Sequence, residues 1–243
     1  MLRQLAPLEI LLAAASPLAG QVGLAPPAGA HTYTVTATYE GEPMMPWMSQ
    51  TVIADTVLDG EPALLVTYNS REDGDGWRFT YRTAVALTDL WSPRASWDGN
   101  GRAGPSYCTA EVADGVIRVT DPHGEQRSEG HAGSLVPDFA VVPILSTLPL
   151  EHGRTFELTV YRCNAHPFEP SRIQVWPIVA TVASGTHARP NGQPEPVWLV
   201  RTTGGFDIEA IIAQSDRLAI EVTTGQGGPG SSMTERWTRT EVP

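Results

Sequence analysis

The side chains with which this chain could do chemistry are few and scattered. Its 243 residues carry two cysteines, Cys108 and Cys163, and six histidines. All sixteen basic residues are arginine, which removes Schiff-base and P-loop lysine chemistry. No G-x-S-x-G elbow, Walker loop, H-E-x-x-H or paired C-x-x-C is present. Cys163-x-x-His166 is half of a zinc motif and lacks the second ligand pair that tetrahedral coordination requires. Asp73 and Asp75 in EDGDG echo a calcium loop, yet Arg71 stands two places before Asp73 and no glutamate closes the loop. His131 lies near Ser134 and His152 beside Glu151, either of which could be drawn as a base with a partner. Nothing in the spacing fixes those pairs, and each histidine reads first as a loop residue. The expectation is therefore no catalytic residue, no metal and no cofactor.

The two cysteines leave three readings open. A Cys108–Cys163 disulfide would close a long loop and add a few kcal/mol if the geometry allows (about 2–4 in the usual case). Two separate buried thiols are the second reading and a reactive pair the third.

The aromatic residues are more informative. Trp77, Tyr81, Trp176 and Trp198 fall on apolar strand faces, and Phe139 falls on an apolar helical stripe. Lining a concave sheet, these five would make an apolar cavity with a few polar tips, the usual character of a small-ligand site. Packed together instead, they would fill a solid core.

The elements that would position these residues are mostly strands. After residue 30 the chain reads as short alternating segments broken by Gly, Pro, Asp and Asn. His31–Glu40 alternates with Tyr33, Val35, Ala37 and Tyr39 on one face. Hairpin signals stand at Asp59-Gly60, Asp114-Gly115, Asn191-Gly192 and Ser215-Asp216. Trp91–Gly104 reads as a loop carrying a DGNG turn. The one interior run that does not alternate is Leu135–Leu150. There Leu135, Phe139, Val142, Leu145 and Leu148 recur at helical spacing, with Pro143 predicting a kink or two short helical pieces. Burying five such side chains is worth about 1.5–3 kcal/mol each before the entropy of ordering them. The predicted fold is all-β and mainly antiparallel. It is one domain over residues 31–243, a strongly curved sheet or open barrel of about eleven strands with a helical plug at 135–150. No internal repeat is visible, and the absence of βα alternation argues against Rossmann and TIM folds.

Charge and the N-terminus bound partners and compartment. The net charge of −11 and a pI near 4.9 disfavour nucleic acid and anionic membranes as partners. Residues 1–30 have the pattern of an export leader: Arg3, the apolar run Ile10–Ala15, and Ala28-Gly29-Ala30 as an A-x-A site. Glu9 and three prolines fit that pattern poorly, and a disordered arm or a packed helix on Leu5, Leu8, Leu11 and Leu12 is the alternative. The run is too short to span a bilayer. Export to the periplasm or beyond is the expectation.

The passages PDFAVVPILSTLPLEHGRTFELTVY, PVWLVRTTGG and SDRLAIEVTT carry a resemblance. They are similar to a bacterial cell-envelope family of unknown function with a D-x7-R-x-L-P-L-x-x-G passage before a strand, then a Trp-containing strand pair and a turn ending in R-L. Asp138, Leu148, Pro149, Leu150, Gly153, Arg217 and Leu218 match, while Ser146 stands where the family often has Arg. The likeness covers roughly residues 31–225. It implies an exported open β-barrel, similar in outline to periplasmic lipoprotein carriers, and carries over no catalytic residue. The reading is a non-enzymatic envelope protein holding an apolar or lipid-like ligand. The alternatives are a cyclase- or hydrolase-type enzyme in a barrel cavity and a structural protein with a solid core.

Overall fold

The computed structural model describes residues 26–71, 78–101, 104–114, 116–121, 123–124, 126–130, 134–164, 172–189, 192–226 and 233–240. Trp77, the EDGDG loop, His131, His166 and residues 1–25 of the leader pattern lie outside the described residues. Among the described residues, sixteen strands form one sheet. They are β1 (Gly29–Tyr39), β2 (Glu42–Pro43), β3 (Trp47–Leu58), β4 (Glu61–Arg71), β5 (Arg78–Ala86), β6 (Arg94–Gly101), β7 (Gly104–Ala113) and β8 (Val116–Thr120), followed by β9 (Gln126–Gly130), β10 (Leu135–Pro137), β11 (Thr155–Asn164), β12 (Arg172–Ala188), β13 (Pro194–Thr203), β14 (Ile208–Ala213), β15 (Ala219–Gln226) and β16 (Met233–Arg239).

The order across the sheet is β10-β11-β12-β13-β14-β15-β16-β1-β3-β4-β5-β6-β7-β8-β9, with β2 on the side of β1. It is two meanders joined by β1, which pairs antiparallel with both β16 and β3. Among the described residues, every pairing is antiparallel except β10 with β11. Each meander follows from short turns between alternating strands, as in the β7–β8 hairpin about Asp114.

The sheet rolls up without closing, and its ends overlap like a scroll. Successive side chains of a strand point to opposite faces, so β11 can bury both. Phe156, Leu158 and Val160 point into the roll and join the main core. Tyr161 and Cys163 point the other way and pack on Trp97, Cys108, Ala110 and Val119 of β6–β8, a second core in the overlap. The overlap is fastened by polar and covalent contacts. Cys108 and Cys163 form a disulfide with Cα atoms 6.4 Å apart. The Ser92 N–H donates to the Leu135 carbonyl at 3.1 Å, and the Ser92 and Tyr161 hydroxyls lie 3.4 Å apart.

The strand count corrects the sequence expectation of about eleven. Strands β2, β6, β9 and β10 add to it, and β6 replaces the loop expected at Trp91–Gly104. The DGNG signal suggests a turn, but Gly99 is a strand residue whose missing Cβ makes room for a ring. A Cβ there would meet the Phe79 ring at 2.9 Å.

Leu135–Leu150 is buried as expected, in a different shape. Leu135–Pro137 is strand β10, Asp138–Ala140 is a 3-10 turn, and helix α1 spans only Val141–Thr147. Pro143 therefore sits in the first turn of α1, where its missing N–H has no carbonyl to lose. The stripe divides accordingly. Leu145 and Leu148 enter the main core, Leu135 joins the second core, and Phe139 and Val142 stay half-buried.

Candidate functional site

Inside the roll, beside α1, the structure holds a cavity of about 730 Å³. Among the described residues, nine aromatic rings line it: Tyr33, Trp47, Tyr68, Phe79, Tyr81, Trp97, Phe139, Phe206 and Trp237. They come from β1 and strands on both sides of it, from the 3-10 turn and from the β13–β14 turn, so rolling the sheet is what brings them together. Tyr68 stacks on Trp237 with centroids 5.2 Å apart and lies 5.5 Å from Tyr81. Phe139 packs 5.5 Å from Tyr81 and edge-on to Trp97 at 5.7 Å. Such offset and edge-on pairs are the favoured aromatic geometries.

Among the described residues, three charged groups line this cavity: Asp138, Arg162 and Glu235. The Arg162 Nε–H donates to Asp138 Oδ2 in an ion pair whose side chains are 19% and 7% exposed. Trp97 Nε1–H points at Asp138 Oδ1 from 3.4 Å. The Arg162 guanidinium also lies over the Phe206 ring, 5.6 Å from its centroid. Burial is the largest effect on Arg162 and opposes its charge, but Asp138, together with Tyr81 and Glu235, outweighs it and holds the guanidinium above its usual pKa. Glu235 is buried and accepts a hydrogen bond from Trp237 Nε1–H at 3.1 Å. Removal from water raises the Tyr68 and Tyr81 hydroxyls, and the field of Glu235 adds to the rise in both. The phenols are therefore neutral hydrogen-bonding groups at physiological pH.

Of the five aromatic residues expected to line a cavity, the structure places Tyr81 and Phe139 in its wall. Trp176 stands behind it, stacked on Phe206 at 5.4 Å and lying against Gly205. A Cβ on Gly205 would meet the Trp176 ring at 2.9 Å, and one on Gly204 would meet the Pro177 carbonyl at 2.2 Å. Both glycines have positive φ, which suits the tight turn that delivers Phe206 to the cavity. Trp198 is half-buried against the main core and does not reach the cavity. Strand alternation gives the face of Trp176 and Trp198, not their height along the roll, and only height separates wall from core.

The polar wall was missed in the sequence, although a signal for it exists. Continuing the inward phase Phe156, Leu158, Val160 reaches Arg162. In β16, Glu235 shares the phase of Trp237. An ionisable residue in an inward phase marks either a buried pair or a site.

The remaining candidates find other partners. His152 Nδ1 accepts the Ser184 N–H at 3.1 Å and faces the Ser184 hydroxyl at 3.2 Å, while Glu151 pairs with Arg154 at 3.8 Å. Among the described residues no group of three or more His, Cys, Asp and Glu is placed to hold a metal ion, and no helix is long and apolar enough to cross a membrane. Arg217, which the resemblance singled out, anchors the end of α1. Its side chain donates to the Ser146 carbonyl at 2.8 Å and to the Leu148 carbonyl.

No family model and no curated protein matches the sequence. Among solved structures, the chain is similar to bacterial proteins of domains of unknown function. One is a β-barrel-like DUF1849 protein from Brucella abortus, at 10% identity and a TM-score of 0.47, covering 87% of this chain and 95% of that one. Another is a DUF1089 family protein from Pseudomonas aeruginosa, at 15% identity and a TM-score of 0.38, covering 74% of this chain and 90% of that one.

Proposed function

We propose that this chain is an exported, non-enzymatic envelope protein that holds an apolar, lipid-like small molecule inside its rolled sheet. The observation that carries the reading is the cavity of about 730 Å³ walled by nine aromatic rings. Small-molecule sites typically measure about 300–1,000 Å³ and combine an apolar wall with a few placed polar groups. The wall here has that character, with Asp138, Arg162 and Glu235 as the charged groups. Export is supported by the leader pattern of residues 1–30 and by the Cys108–Cys163 disulfide, which suits an oxidising compartment.

The test is native mass spectrometry of the purified full chain, paired with titration of a neutral apolar fluorophore read by tryptophan quenching. The expected result is a discrete bound mass or saturable one-to-one uptake, with Phe139→Ala altering the affinity. Protein free of any adduct that also takes up no probe would overturn the reading.

A further inference from the structure

The cavity wall is divided between rings and aliphatic side chains, and the division bears on the class of ligand, given the ligand-holding reading above. Among the described residues, five of the nine rings come from the adjacent strands β3–β6. Tyr68, Tyr81 and Trp97 stand directly opposite one another on β4, β5 and β6, so register alone puts them in one cross-strand row on one face. Phe79 shares that face, 6.0 Å from the Tyr81 ring, and fills the place that a Cβ on Gly99 would take. Phe139, from the 3-10 turn, touches two rings of the row, Tyr81 and Trp97. Phe79, Tyr81 and Phe139 line the cavity and are only half-buried, so part of each ring is open to a ligand. The aliphatic lining comes mostly from the other meander and from the helix: Ile208 of β14, Ala219 and Val222 of β15, and Val142 of α1. The charges of the wall act on one another, Asp138 and Glu235 both on Arg162, and leave recognition of a neutral ligand to the rings. A flat ring laid against such a row gains offset or edge-on contacts beyond the area it buries, whereas a saturated ring of the same skeleton gains the area alone. Two such contacts amount to about tenfold in affinity.

We propose that the cavity takes a neutral alkyl-substituted arene. Its planar ring lies against Phe79, Tyr81 and Phe139, and its chain runs along α1 and β14–β15. The association is non-covalent and transfers no atoms.

The test uses the full chain and three neutral probes: 6-phenylhexanol, 6-cyclohexylhexanol and benzyl alcohol. The first two share one carbon skeleton and differ only in the ring. The saturated ring is the more water-averse, so a cavity that responds to apolar area alone takes 6-cyclohexylhexanol the tighter. Binding is read by isothermal titration calorimetry. The expected result places 6-phenylhexanol about tenfold tighter than 6-cyclohexylhexanol, with benzyl alcohol, which lacks the chain, weaker again. Phe139→Leu keeps an apolar side chain without the ring, and is expected to reduce the preference for 6-phenylhexanol severalfold while leaving 6-cyclohexylhexanol binding unchanged. Equal binding of the two long probes, a tighter saturated probe, or a preference undiminished in Phe139→Leu would overturn the ring assignment while leaving the apolar cavity standing. Benzyl alcohol binding as tightly as 6-phenylhexanol would overturn the place given to the chain. Failure of all three to bind would overturn the ligand-holding reading itself. If Phe139→Leu does not fold, judged by circular dichroism, the ranking of the three probes on the unaltered chain decides alone.

Discussion

Arg162 and Asp138 show how much one residue pair can ask of its surroundings. A guanidinium and a carboxylate placed inside an apolar roll lose hydration and recover part of it through each other and the Trp97 indole. Removing one partner takes that contact from the other. Asp138→Ala is expected to lower the free energy of unfolding by about 3–5 kcal/mol, the usual range for breaking a buried pair. Chemical denaturation checks this; a loss below about 1 kcal/mol would mean that water screens the pair. The buried phenols make a second prediction. Burial lifts Tyr33 to about 12, Arg239 working in the opposite direction, and burial raises Tyr68 and Tyr161 as well. The unfolded chain releases such protons near pH 10, whereas the folded chain keeps them. Stability is thus fully present below about pH 10 and falls as pH rises toward 12, by about 1.4 kcal/mol per pH unit for each group. Absorbance at 295 nm should show these three phenols ionising together with loss of the β-sheet signal. Ionisation at ordinary pH with the sheet intact would contradict the burial.

At the scale of elements, α1 is held at both ends by features that can be named. Pro143 fits its first turn, and Arg217 from the β14–β15 turn takes two carbonyls at its end. Across α1 and the 3-10 turn before it, one face is core and the other is cavity wall, so residues of the two faces should differ in cost. Ile144 is fully buried in the main core, and Ile144→Ala is expected to cost about 3–4 kcal/mol. Phe139→Ala removes a ring that already faces empty space, so about 2 kcal/mol or less is expected, mainly from its contacts with Tyr81 and Trp97. Equal costs in urea unfolding would mean that Phe139 is ordinary core. Much of this level is legible in sequence. Alternation places Tyr33, Val35 and Ala37 inward in β1, and the β12–β13 and β14–β15 hairpins sit at their turn signals. Strand β6 is not legible, because the glycine that admits the Phe79 ring looks like the glycine of a turn. Nor is β10, since three residues show no period.

The whole molecule is where local pattern has least to say. Nothing near β1 announces that it pairs with β16, some two hundred residues away, or that β11 slides beneath β7. Both are solutions to burying two faces of the same strands, and they depend on the sheet's curvature. The Cys108–Cys163 bond secures the overlap across a separation of 55 residues. On the chain-entropy account, a loop of that size is worth about 4 kcal/mol. The Cys108→Ser, Cys163→Ser double variant should therefore unfold more easily by about 2–4 kcal/mol, as measured by guanidinium denaturation against the oxidised protein. An unchanged midpoint and slope would show that the scroll holds without its staple.

That the roll is hollow beside α1 is the claim on which the proposed ligand-holding role depends. Val142 projects from α1 onto the cavity wall and is half-buried. Val142→Trp measures the hollow directly, through a thermal melt and an apolar-probe titration on the same sample. The account predicts a melting temperature within a few degrees of the parent and loss of probe uptake, because the indole occupies the cavity. A collapse in stability of the kind that overpacking a filled core produces, about 1–3 kcal/mol or more, would contradict it, as would undiminished uptake of the probe.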